Sequence, residues 1–211
     1  MLKKPLLRAI AVVAIVTLGA AVLESMMSKV EEPKYRVVEK DGNVEFRDYA
    51  PMIVAETEVS GEQHKALGVG FRAIAGYIFG DNSSAQKVAM TAPVTQQRSE
   101  KIAMTAPVTQ QDDGGIGRVS FVMPAGYTLA TLPKPTNPAV TLKEVGSKRF
   151  VVIRFSGFAG EGNLARRTAE LNAFVSAKHL RALSAPTYAF YDPPWTLPFL
   201  RRNEVMVEIA A

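Results

Sequence analysis

The sequence contains no cysteine, and it contains only two histidines and one tryptophan. Without cysteine the chain cannot form a disulfide, a thiolate nucleophile, a zinc–thiolate site or a lipid anchor on cysteine. It also lacks a Gly-x-Ser-x-Gly elbow and the glycine patterns of phosphate loops and dinucleotide sites. With two histidines, a histidine-rich metal cluster is excluded as well. The sequence therefore carries no enzymatic signature, and we predict a protein that is not an enzyme.

Positive charge is concentrated at the N-terminus. The formal net charge is +5, from 25 basic and 20 acidic residues, and Lys3, Lys4 and Arg8 are three of the basic ones. From residue 24 onward, 22 basic residues therefore face 20 acidic residues. Nucleic-acid binding requires a concentrated basic face, so no nucleic-acid partner is predicted.

Residues 1–27 are predicted to be a membrane-targeting helix. The three basic residues precede an uncharged, mostly apolar run over residues 9–23. This run is shorter than the ~20 residues of a comfortable transmembrane helix, which favours a signal peptide. An uncleaved anchor that extends through Met26 and Met27 is the alternative, and the sequence does not decide whether cleavage occurs.

In either case the body of the protein is expected to cross the membrane, because the basic flank stays in the cytoplasm. We predict a linker over residues 28–34 and one globular domain over residues 35–211. The expected location is the periplasm, or the outer side of the inner membrane for an anchored form.

A short segment occurs twice, at residues 87–97 and 101–111. The copies share Lys-x-Ala-Met-Thr-Ala-Pro-Val-Thr-Gln-Gln and differ only by Val against Ile at the second position. Alternation of larger and smaller residues predicts a strand in each copy. Pro93 and Pro107 confine it to a sheet edge or a strand end. We expect a rim of the β-structure there, with Met104 as a soft, adaptable surface.

The first half of the body is predicted to contain strands and one helix. Asp41-Gly42 between two alternating runs indicates a β-hairpin, and Ser60 and Gln63 have the spacing of a helix capping box. Gly80 is expected to end the helix in a left-handed conformation. The predicted strands cover residues 35–39, 44–49, 53–59 and 118–123.

The second half repeats this order. Asn163 is predicted to cap a second helix whose apolar stripe runs from Leu164 to Val175. In the proline-rich loop 192–198, Trp195 is expected to pack down because of its large apolar area. Strands are predicted over residues 139–145, 149–155, 187–191 and 203–209. Two helices so far apart cannot supply the crossovers of a parallel sheet, so we predict a mainly antiparallel α+β fold.

Four stretches resemble the SOUL haem-binding protein family, in the same order and over about residues 34–209. The resemblance implies a pseudo-twofold, distorted antiparallel β-barrel flanked by two helices. The four stretches are Val44-Glu45-Phe46-Arg47-Asp48-Tyr49-Ala50-Pro51, Phe71–Gly80, the Met-Thr-x-Pro-Val segment with its duplicate, and Tyr191-Asp192-Pro193-Pro194-Trp195 with Leu200–Val205.

The resemblance also implies non-covalent binding of haem or a related tetrapyrrole in a hydrophobic groove beside the first helix. Basic positions of the family helix correspond to Gly68 and Ala73 here, so Arg72 or Arg149 is the candidate for the propionates. Tyr77 could hydrogen-bond or ligate, and Met104 could contact the ring. The helical apolar stripe that would line the groove is Leu67, Phe71, Ile74 and Ile78.

Iron ligation is left open by the sequence. Some family members have a histidine, proposed as a haem ligand, between the Arg and Tyr of the early strand; this chain has Asp48 there, and a carboxylate is a poor substitute. His64 and His179 remain the weak candidates for a metal ligand.

Two other functions stay open. One is an enzyme that acts on a small hydrophobic substrate in the same groove, with His64 beside Glu62 or Glu56. The other is a non-catalytic envelope protein that binds a protein partner through the methionine-rich rim.

Overall fold

A computed structural model describes residues 30–84, 99–113 and 116–210. The chain divides into two units, Met1–Glu31 and Glu32–Ala211. The predicted targeting segment and the first copy of the duplicated segment lie outside the described residues. Within the described ranges, neither helix has the length and apolar character needed to span a membrane.

The described chain forms eleven strands, two helices and one 3-10 turn. The first-half elements are β1 Tyr35–Asp41, β2 Val44–Tyr49, β3 Met52–Val59, α1 Gln63–Phe79, β4 Asn82–Ser83, β5 Val108–Asp113, β6 Ile116–Val122 and β7 Lys134–Pro135. The second-half elements are β8 Thr141–Val145, β9 Lys148–Phe155, α2 Glu161–Ala177, β10 Thr187–Phe190, the 3-10 turn Pro198–Leu200 and β11 Asn203–Ile209.

Nine strands form one antiparallel sheet in the order β1-β2-β9-β11-β10-β5-β6-β3-β8. The predicted α+β class and antiparallel pairing are confirmed. The sheet is a curled half-barrel, because β1 and β8 are its two edges in the described part of the chain. The distorted β-barrel that the family resemblance implied is thus, in the described residues, a half-barrel with two helices.

The two halves repeat the order strand, helix, strand, strand. β3, α1, β5 and β6 form one half, β9, α2, β10 and β11 form the other, and β5 pairs with β10 where the halves meet. The preceding strands are exchanged: β2 pairs with β9, and β8 pairs with β3. Each half of the sheet is thus completed by a strand from the other half of the sequence.

Both helices cover the same face of the sheet. Phe121 on β6 lies opposite Val108 on β5, which in turn lies opposite Phe190 on β10, and opposed residues of antiparallel strands share a face. Phe121 belongs to the core under α1, and Phe190 packs against the core under α2. The other face carries no helix in the described structure.

Several local predictions are wrong. The first residue of α1 is Gln63, its N-cap is Glu62, and no side-chain cap bond forms there. The N-cap of α2 is Gly160, so the helix starts three residues earlier than predicted, and Asn163 donates from its side chain to the Phe158 carbonyl.

In the second copy of the duplicated segment, the strand begins only at Val108, directly after Pro107. The proline thus stands at a strand end as predicted. The predicted strand over the preceding residues is wrong, since Thr105 there forms only an isolated bridge and donates its hydroxyl to the Val122 carbonyl.

Candidate functional site

α1 lies unusually close to the sheet at Gly70. A Cβ at this position would lie 2.6 Å from Val119 Cγ2 and 3.2 Å from Val59 Cγ1, closer than side-chain atoms can approach. The missing side chain at Gly70 thus allows the close packing of α1 on the sheet.

Three of the predicted groove residues are in the core. Ile74, Tyr77 and Ile78 have no exposed surface and pack against β3 and β6. The Tyr77 hydroxyl donates to the Pro133 carbonyl at 2.9 Å, and burial raises the pKa of Tyr77 to about 12. In this conformation none of the three side chains can contact a ligand at the surface.

One flank of α1 remains open, and we call it the α1 flank: Phe71, Ala75 and Phe79, with Arg72 beside them. Phe71, Ala75 and Phe79 follow one another at spacing i, i+4, i+8, which aligns them along one side of the helix. Phe71 is 37% exposed and Phe79 is 57% exposed, whereas Ala75 is buried. The flank therefore has two aromatic ends about 12 Å apart along the helix, with a low surface between them.

Arg72 supplies positive charge on the α1 flank. It is exposed, and it makes no ion pair with any residue in the described ranges. Its guanidinium approaches the place where a Cβ of Gly68 would stand, at 3.6 Å. The Arg72 side chain thus extends along the helix surface toward its N-terminal end, on the side of Gly68.

The remaining apolar candidates lie partly at the surface. Leu67 is half-buried against the core under α1. Met104 is exposed, two residues after Ile102, whose backbone N–H donates to the Ile78 carbonyl near the C-terminal end of α1. The Phe71 ring lies 5.5 Å from the Phe121 ring, which fixes its orientation.

Arg149 lies elsewhere, in a cleft at the β1–β2–β9 edge. The cleft has a volume of about 490 Å³, within the range of ligand pockets. Arg149 donates to both carboxylate oxygens of Asp48, at 2.6 and 2.9 Å, and these bonds lower the pKa of Asp48. The lining residues are Lys34, Tyr35, Arg36, Asp48, Tyr49, Ala50, Ser147, Lys148 and Arg149.

The two histidines do not form a metal site with other described side chains. His179 is exposed, has φ 52°, and follows the last turn of α2. His64 lies in the first turn of α1, and its side chain is outside the described set. No group of three or more potential ligand side chains occurs among the described residues.

Sequence reasoning missed a buried charge cluster on the helix-free face. Arg47 and Glu204 are almost completely buried, and the Arg47 guanidinium donates to Glu204 Oε2 at 2.8 Å. Arg47 also donates to Glu45 at 2.7 Å. Burial opposes the charged guanidinium, but the hydrogen bond and the charge of Glu204 outweigh burial and raise the pKa of Arg47.

The cluster extends to the second arginine of the Leu200–Val205 stretch. Arg202 donates to Glu204 Oε1 at 2.9 Å and to Glu32 at 2.9 Å. The Tyr191 hydroxyl donates to Glu204 Oε2 at 3.0 Å. Burial and the negative charge of Glu204 raise the pKa of Tyr191. Burial also raises the pKa of Tyr49, to about 12.

This cluster joins two of the stretches on which the family resemblance rests. The early strand contributes Arg47, and the C-terminal stretch contributes Arg202 and Glu204. The Glu204 carboxylate is bonded by Arg47 from the early strand and by Arg202 from the C-terminal stretch. The cluster therefore forms only when both stretches are part of one fold. Residues 30–208 match the sequence profile of the family described as SOUL heme-binding protein. The chain belongs to this family.

Solved structures with the same fold have little sequence in common with this SOUL protein. The C-terminal domain of EcmrR superposes with a TM-score of 0.57 at 10% identity, over 83% of this chain and 98% of that domain. A structure described as a hydrolase from Listeria innocua gives a TM-score of 0.51 at 15% identity, over 86% of this chain and all of the other. At such identities the likeness concerns the fold alone. No curated protein matches the chain.

Proposed function

We propose that this SOUL protein is a non-catalytic binding protein for haem or a related tetrapyrrole, and that it is exported through its N-terminal segment. The observation that carries the proposal is the α1 flank of a family member, on which two aromatic rings are exposed beside an arginine without a described ion-pair partner. An apolar ring can pack against the exposed surfaces of Phe71 and Phe79, with a carboxylate at Arg72.

The cleft around Arg149 is the weaker surface for an acidic ligand. Its Arg149 guanidinium is already bonded at two points by Asp48, and Lys148 is bonded by Glu208 at 2.5 Å. A propionate at Arg149 or Lys148 would have to displace an existing carboxylate. At Arg72 no such competition exists within the described residues.

The contact area of one helix flank sets the expected affinity. Burial of ~200 Å² at about 25 cal/mol per Å² contributes ~5 kcal/mol, which corresponds to a dissociation constant in the range of 0.1–1 mM, roughly. The bond to Arg72 is expected to strengthen binding beyond this value. Apolar contact dominates in this proposal, so iron-free protoporphyrin should bind about as tightly as haemin.

Absorbance titration with haemin and with protoporphyrin tests the proposal. Phe79→Ser combined with Arg72→Glu should weaken binding of both ligands, while Val69→Ser is the matched control, since Val69 is an exposed apolar residue of the same helix that does not belong to the α1 flank. No saturable change with either ligand contradicts the proposal. If haemin binds but protoporphyrin does not, and His64→Ala abolishes the binding of haemin, then ligation of the iron by His64 would explain binding instead of contact with the α1 flank.

A further inference from the structure

Two neighbouring loops expose five large apolar side chains, which we call the loop patch: Phe158, Trp195, Leu197, Phe199 and Leu200. Trp195 is 82% exposed, Phe199 is 70% exposed and Phe158 is 65% exposed. The expectation that Trp195 packs down is wrong, since it is the most exposed of the large apolar residues in the described chain. At 150–250 Å² per aromatic side chain, the three rings alone expose roughly 300–500 Å², comparable to the largest apolar patch on a typical monomer.

The loop patch is held in place by specific contacts. The Gly157 N–H donates to the Pro198 carbonyl at 2.8 Å, which joins the two loops. The Arg201 guanidinium donates to the carbonyls of Thr196 and Pro194 and lies 5.3 Å from the centre of the Phe158 ring. These contacts hold the two loops together, so the apolar side chains are exposed on a surface with a defined backbone structure.

The loop patch lies at the point where the described body begins. Glu32, the first residue of the second unit, is bonded to Arg202, which is two residues from Leu200. In the sequence, eight residues separate the apolar run at residues 9–23 from Glu32.

The charges around the loop patch suit the surface of a membrane. Residues 156–167 and 191–202 contain four arginines and two acidic residues, Glu161 and Asp192. Arg202 is paired with Glu32 and Glu204, and Arg167 is paired with Glu170, so the positive charge available beside the loop patch is that of Arg166 and Arg201. Tryptophan and arginine side by side are typical of the membrane–water interface, where an amphipathic ring and a cation both find partners.

We propose that the loop patch inserts into the interfacial zone of a lipid bilayer and holds the body against the membrane. The insertion is mainly apolar, with a minor contribution from anionic headgroups because the local positive excess is small. This inference goes beyond tetrapyrrole binding and does not rest on it.

The single tryptophan of the chain reports directly on the insertion. The full chain is reconstituted into phosphatidylcholine vesicles with a minor fraction of phosphatidylglycerol, and Trp195 emission is recorded. We expect a blue shift, quenching by lipids that are brominated on their acyl chains, and protection from the soluble quencher acrylamide. Attachment through residues 9–23 alone changes none of these signals, so the readout is specific to the loop patch.

The double variant Leu197→Glu with Phe199→Glu should lose the blue shift and the bromolipid quenching. Leu129→Glu is the matched control, because Leu129 is exposed on another loop, and it should retain both. Wild-type emission that stays unshifted and open to acrylamide in vesicles overturns the proposal. A blue shift without vesicles that grows with protein concentration also overturns it, in favour of a second copy of the chain.

Discussion

The carboxylate of Glu204 has no exposed surface and is held between the guanidinium groups of Arg47 and Arg202. Removing one partner of a buried ion pair leaves an uncompensated charge, which costs about 3–5 kcal/mol. We expect Arg47→Met to lower the free energy of unfolding by about this amount, measured by urea denaturation. In contrast, Arg36→Met breaks an exposed pair with Asp48 and should cost at most about 1 kcal/mol. Equal losses in the two variants would show that the cluster is not a buried network.

Stability is expected to fall at alkaline pH because of Tyr49. Burial raises the pKa of Tyr49 to about 12 from 10.0. The unfolded chain therefore releases this proton first, so the stability is fully present below about pH 10 and is lost as the pH rises toward 12. A difference of about 2 between the pKa of Tyr49 in the folded and the unfolded chain corresponds to about 3 kcal/mol in the free energy of unfolding. Urea denaturation at several alkaline pH values measures the loss, and Tyr49→Phe should make it smaller between these limits, while Tyr77 and Tyr191, whose pKa values burial also raises, account for the remainder. An unchanged slope in Tyr49→Phe would assign the loss to other groups.

Sequence reasoning at the scale of single residues had a clear limit. It recognised the stretches that contain Arg47 and Glu204, but it gave neither residue a role, because charged residues are ordinarily at the surface. The pairing depends on β2 and β11 both lying beside β9, which no local pattern encodes. Trp195 shows the opposite error. Its large apolar area predicted burial, but the side chain is exposed, because apolar area alone does not distinguish burial within the chain from burial against a partner.

At the scale of elements, α1 depends on the two glycines of its first half in opposite ways. A methyl group at Gly70 would collide with Val119 and Val59, whereas at Gly68 it would meet only the guanidinium of Arg72 at 3.6 Å. We expect Gly70→Ala to destabilise the protein by about 1–3 kcal/mol through overpacking. Gly68→Ala should stabilise it by up to about 1 kcal/mol, because alanine favours the helix. Thermal unfolding of both variants checks the sign of each change, and a stabilising Gly70→Ala would contradict the close helix–sheet contact.

Helical periodicity located α1 but did not show which flank stays open. The stripe Leu67, Phe71, Ile74 and Ile78 was predicted correctly as an apolar face. Ile74 and Ile78 point into the sheet, while Phe71 stands at the border of the covered surface. The extent of the contact between α1 and strands β3 and β6 determines which of these side chains are covered. Alternation located some strands, since the predicted strand 203–209 coincides with β11, but the alternating residues before Val108 form no strand.

At the scale of the whole molecule, the order of elements was predictable and the pairing of strands was not. Strands were predicted over residues 139–145 and 149–155, and β8 and β9 lie there. They do not pair with each other, because β8 joins β3 and β9 joins β2 and β11. The exchange of β2 and β8 between the halves completes the two hydrophobic cores, under α1 and under α2. It depends on contacts between distant parts of the chain and leaves no local signal in the sequence.

We propose that a tetrapyrrole binds on the α1 flank. Backbone amide NMR with iron-free protoporphyrin locates the bound ring directly. The ring current of a bound macrocycle shifts the amides closest to it. We predict shifts concentrated at residues 68–79 and near Met104, with Val69 less affected than Phe71. Shifts centred on the cleft of Tyr35, Tyr49 and Arg149, or no shifts at saturating ligand, would contradict the account.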